Sequence, residues 1–113
     1  QDLFYDGLTY PMTGVLPVQT KVHKKPQGHG YIRAEVILPN PFYPVGQKIV
    51  GHEFHYSDCP DIDSNLNFAL RLQRGVGMCN GMDGLLYKNV LASYAHTHAL
   101  GVPIWAKNFV SAA

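Results

Sequence analysis

Glycine and proline set the limits on what this chain can become. Eleven glycines and eight prolines in 113 residues cut it into short segments, each bounded by a residue that favours a turn or stops an element. Within those limits, apolar periodicity assigns the pieces. In residues 30–38, Ile32, Ala34 and Val36 alternate with Arg33 and Glu35, the period of a half-buried strand, and Pro39, Asn40 and Pro41 stop it. Residues 48–57 predict a second strand, with Glu53, His55 and Ser57 on one face and Val50, His52, Phe54 and Tyr56 on the other. A polar loop follows over 58–65. Residues 68–74 predict a third strand, with Phe68, Leu70 and Leu72 on one side and Arg71 and Arg74 exposed. The four glycines of residues 75–84 predict a hairpin or tight loop, and 85–87 and 90–94 are further extended pieces. Residues 1–6 read as the tail of a helix capped at Gly7, and 12–18 as an extended segment or turn. Residues 103–112 have apolar positions at helical spacing, with Pro103 suited to a first turn. The sum is a set of short strands, often hairpin-linked, closed by one helix.

Composition narrows the function classes. Hydrophobic residues make up 46% and charged residues 15%, low against the usual quarter, so a core forms and part of the neutral surface is expected to be covered by a missing neighbour or by self-association. Net charge is +1. Lys21, Lys24 and Lys25 sit beside Pro26 as a solvated loop, and no basic stripe with interleaved aromatics marks a nucleic-acid surface. No apolar run approaches the roughly 18 residues that span a bilayer, and residues 1–7 lack the basic start of a signal peptide. Cys59 and Cys79 match neither a zinc nor a C-x-x-C spacing, which points to reduced thiols and a cytoplasmic setting. The absence of a starting Met leads us to expect a piece of something longer.

Six histidines carry most of the candidate chemistry. His23 and His29 read as exposed loop residues. His52 and His55 share a strand, and His96 and His98 share a face if their segment is extended. Two imidazoles on one face suit a metal ion or a general base; equally, they are polar residues of a loop. A base needs a nucleophile, and neither cysteine fits well. Cys59 precedes Pro60 in a polar loop, and Cys79 has small neighbours but no helical pattern after it to favour a thiolate.

Several stretches resemble cobyrinic acid a,c-diamide synthases. Gly51-His52-Glu53-Phe54-His55-Tyr56-Ser57 resembles their G-H-x-F-H-Y-S signature, and Asn89-Val90-Leu91-Ala92-Ser93-Tyr94-Ala95-His96-Thr97-His98 resembles their N-x-x-A-S-Y-x-H-x-H motif. Asp6-Gly7, Tyr10-Pro11-Met12 and Gly14-Val15-Leu16-Pro17 resemble the segment after the family's nucleophile. Gly30-Tyr31 resembles the strand start before the signature, and residues 103–113 resemble the last helix. The likeness runs nearly end to end, in the family's order.

The resemblance implies an α/β fold: part of a class I glutamine amidotransferase domain, flavodoxin-like and three-layered, here strand-rich with a C-terminal helix. It implies that His96 is the catalytic partner of a cysteine, that His98 supports it, and that Glu53 and His55 lie near the glutamine pocket. The family's nucleophile stands in a C-G-G turn just upstream of the part matching residues 1–7, so residues 1–113 are expected to be a C-terminal portion without it, inactive alone. The family has no acidic third member of the triad. Glutamine is the implied substrate, ammonia the product, and an N-terminal synthetase domain using ATP and Mg2+ the implied partner. No cofactor is expected in this chain. The acceptor would be the a- and c-carboxylates of cobyrinic acid or another tetrapyrrole such as sirohaem. Two other readings stand beside this one: a zinc module built from His52, His55, His96 and His98, and a non-catalytic interaction domain.

Overall fold

The computed structural model describes residues 1–113. In chain order its elements are β1 (Asp2–Tyr5), β2 (Leu8–Pro11), β3 (Thr20–Val22), β4 (Gly28–Val36), β5 (Lys48–His55), β6 (Ser57–Asp58), β7 (Asn67–Arg74), β8 (Met82–Tyr87), β9 (Val90–Ala92) and α1 (Ile104–Ala112). They form a four-stranded sheet of order β2-β1-β3-β6 and a five-stranded sheet of order β5-β4-β7-β8-β9. The larger sheet is antiparallel throughout; β1 and β3 make the one parallel pair. The expected strand-rich domain closed by one helix is what the chain forms.

The alternation in β4 does what its pattern predicts. Ile32, Ala34 and Val36 are at most 2% exposed and join Ile49, Ala69, Leu70 and Val102 in the main core, each large apolar side chain contributing about 1.5–3 kcal/mol. Ile104 and Trp105 pack α1 against that core, and Asn108 Nδ2 donates to Phe42 O at 2.8 Å. A second cluster holds Val18, Cys59, Phe68, Met78 and Leu85.

Three expectations need correcting. Residues 1–6 are not a helix tail: β1 turns through Asp6 (φ 48°) and Gly7 (φ 76°) into β2. Two consecutive residues at positive φ make the tight hairpin loop that Asp-Gly favours, so Gly7 has the left-handed backbone foreseen but in a different element. Strand β7 is not one-sided. Ala69 is fully buried beside Phe68 and Leu70, because β7 lies between β4 and β8 and contributes to both apolar clusters. His29 lies in β4, paired with Phe54, rather than in a loop.

Candidate functional site

Strand β5 sorts its polar residues by parity. Glu53 and His55 point inward and are 3% and 7% exposed, while Val50, His52 and Phe54 face outward. On the inner face Glu53 accepts the amides of Val76 at 2.7 Å and Gly77 at 2.9 Å, which ties the β7–β8 turn to β5. His55 Nδ1 lies 2.7 Å from the Ser57 carbonyl. A carbonyl only accepts, so Nδ1 carries the proton. Nε2, 3.3 Å from Glu53 Oε2, donates there when it too is protonated. Burial pulls the Glu53 carboxyl upward, but the two amides and the His55 ring outweigh it and hold the group below its ordinary 4.5. Tyr94 stacks on His55 with centroids 4.0 Å apart and its hydroxyl meets Ser57 Oγ at 2.7 Å; burial pushes the phenol up to about 12. The packing leaves no room at Gly28, where a Cβ would stand 2.2 Å from His55 Nε2.

Asp83, fully buried, is the anchor of the site that sequence reasoning missed. Its Oδ2 accepts Ser93 Oγ and the Ala95 amide, both at 2.8 Å, and its Oδ1 accepts the Tyr94 amide at 3.1 Å. A carboxylate that takes three donors from one short segment fixes that segment, and the next residue along is His96. The available signal was an acid inside the apolar run Met82-Asp83-Gly84-Leu85-Leu86, a position that demands a satisfied charge.

His96 emerges from this anchor onto the outer face of β5. It exchanges both backbone hydrogen bonds with His52, at 2.8 and 3.1 Å, and the two rings stack with centroids 4.7 Å apart and planes 21° off parallel. Both side chains are exposed. The shared strand face foreseen for His96 and His98 does not form, because pairing stops after the His52–His96 bridge. His98 Nδ1 instead accepts the Leu100 amide at 3.2 Å and the His98 carbonyl takes the amides of Gly101 and Val102, so this residue shapes the turn into α1.

The structure therefore joins His52 to His96, and Glu53 to His55, on opposite faces. That arrangement breaks up the four-histidine zinc reading, and no group of three or more His, Cys, Asp or Glu side chains is placed to hold a metal ion. Both cysteines are free thiols, and burial raises each above the ordinary thiol value, which keeps them neutral and weak as nucleophiles. His23 pairs with Asp58 at 2.9 Å. No helix is long and apolar enough to cross a membrane.

Residues 5–103 match a family described as a CobB/CobQ-like glutamine amidotransferase domain. The cobyrinate a,c-diamide synthase of Magnetococcus marinus is 42% identical over 106 residues, 94% of this chain and 23% of that protein. The enzyme of the same name from Methanosphaera stadtmanae is 42% identical over 104 residues (91% and 23%), and that from Archaeoglobus fulgidus 39% identical over 104 residues (92% and 22%). The chain thus spans under a quarter of the length of these curated relatives. No solved structure matches it.

Proposed function

Because the chain belongs to the CobB/CobQ-like glutamine amidotransferase domain family, we propose that it is the C-terminal part of a glutaminase that feeds ammonia to an ATP-dependent amidation of the a- and c-carboxylates of cobyrinic acid. The observation that carries this reading is the state of His96: an exposed imidazole with unencumbered ring nitrogens on a backbone pinned by Asp83 before it and by the His52 bridge at it. A glutaminase needs a base of that kind. A cysteine thiolate attacks the side-chain amide carbon of glutamine, the protonated imidazole returns its proton to the leaving ammonia, and water then opens the thioester to give glutamate. Cys59 is buried and Cys79 half-buried against the same apolar cluster, and burial raises both thiols, so in this reading neither is the nucleophile and that group comes from a segment outside residues 1–113. The names of the relatives favour cobyrinate over another tetrapyrrole as acceptor.

In this reading Glu53 and His55 lie near the glutamine pocket and brace β5 from its buried face, and His98 supports His96 by shaping the turn that follows it. The remaining layers of a three-layer, flavodoxin-like domain cover the exposed apolar side chains of β4 and β5, among them Tyr31 at 71% and Val50 at 59% exposure. ATP and Mg2+ serve the synthetase domain, and no residue here is assigned to them. Free thiols and the ATP requirement suit the cytoplasm.

The test uses the intact natural polypeptide. It should release glutamate from glutamine, and His96→Ala should slow that release about 100- to 10,000-fold while amidation from added ammonia continues. Glutamate release by His96→Ala at the parent rate would remove His96 as the base.

A further inference from the structure

We propose that His52 is a positioning residue: its ring seats the His96 imidazole in the orientation that accepts the proton. The inference rests on the reading of His96 as the glutaminase base and adds a role that the reading does not require.

Four observations converge on it. The His52 ring makes no hydrogen bond of its own and is exposed, so no contact within residues 1–113 other than the His96 ring calls for an imidazole there. It nonetheless lies flat against His96, centroids 4.7 Å apart. The two residues are mutual backbone partners, which fixes the distance between their Cα atoms and brings both rings to one side of the strand. Finally, Gly51 is what permits the approach: a Cβ there would stand 2.2 Å from the His96 carbonyl oxygen and 3.2 Å from its carbon. The Gly51-His52 pair thus works as a unit, the glycine giving room for the His96 backbone and the histidine giving its ring a surface to lie on.

The need for such a seat follows from what else is fixed. Asp83 holds the amides of Tyr94 and Ala95, so the backbone leading to His96 has little freedom. The ring itself is on the surface and would otherwise sample several rotamers. Proton transfer to and from a thiol and an amide nitrogen needs one of them. Stacking removes the torsional freedom while leaving the ring nitrogens at the rim, where a hydrogen bond to the imidazole could only be made by occupying one of them.

The experiment compares four forms of the intact natural polypeptide by glutamate release: parent, His96→Ala, His52→Ala and His52→Phe, with unfolding midpoints measured alongside. His52→Ala should keep the parent's midpoint and its KM for glutamine and lose about 10- to 100-fold in kcat. His52→Phe restores a flat ring without ring nitrogens and should return kcat to within about threefold of the parent. A His52→Ala enzyme with parent kcat, one whose loss falls on KM, or a His52→Phe enzyme no faster than His52→Ala would each overturn the seat. The His96→Ala arm separates the two claims: if it is inert while His52→Ala is at parent rate, only the seat fails, whereas glutamate release undiminished in His96→Ala removes the underlying assignment.

Discussion

Strand β5 carries Glu53 and His55 on one face and His52 on the other, and the two faces treat polar groups in opposite ways. Inward, the carboxylate accepts two amides and lies 3.3 Å from the His55 ring, the imidazole donates its Nδ1 proton to the Ser57 carbonyl, and Tyr94 covers it. Outward, His52 and His96 meet only through their backbones and ring faces. A buried polar group has to spend its hydrogen bonds on the protein or lose the cost of desolvation. An exposed one keeps them for a substrate. The inner face thus holds the fold, and in the proposed function the outer face carries the chemistry, although both are built from the same short signature.

The comparison can be broken most directly at Glu53. Glu53→Ala leaves the Val76 and Gly77 amides and the His55 ring without their acceptor and should cost about 3–5 kcal/mol, read from the denaturant midpoint of the intact protein. A loss no greater than that of His52→Ala would erase the distinction between the faces. Asp83→Ala comes next. It should cost about 2–3 kcal/mol, because three donors lose their acceptor, and it should also lower glutamate release by freeing the segment that leads to His96. Stability lost with turnover intact would show that the anchor and the base are uncoupled. The smallest effect is with pH. Since the folded-state pKa of Glu53 is depressed below its ordinary 4.5, its contribution is fully present above that value and lost as pH falls through the lowered one. Acid unfolding of the parent should therefore include a component below pH 4.5 that Glu53→Gln lacks. An identical acid limb in the two proteins would count against the inner-face account.

The strands were legible because each is a local pattern. The alternation of Ile32, Ala34 and Val36, and the parity that separates Glu53 and His55 from His52, depend only on neighbours in sequence. So did the Gly-rich β7–β8 turn and the closing helix. The first hairpin was misread because Asp6-Gly7 supports a left-handed backbone in either setting, and only pairing between β1 and β2 decides between them. His96 was reachable by motif, but its surroundings were not.

By itself, the sequence determined the alternation of strands, the face on which each β5 side chain lies and the motif that carries His96, since backbone periodicity and short-range spacing are properties of neighbours. Tertiary structure alone decided that Asp83 anchors the segment before His96, that Glu53 clamps a turn 23 residues away, and that His52 lies against the His96 ring. These are contacts between distant segments. They arise from register and from the absence of a side chain at Gly51, neither of which leaves a periodic trace.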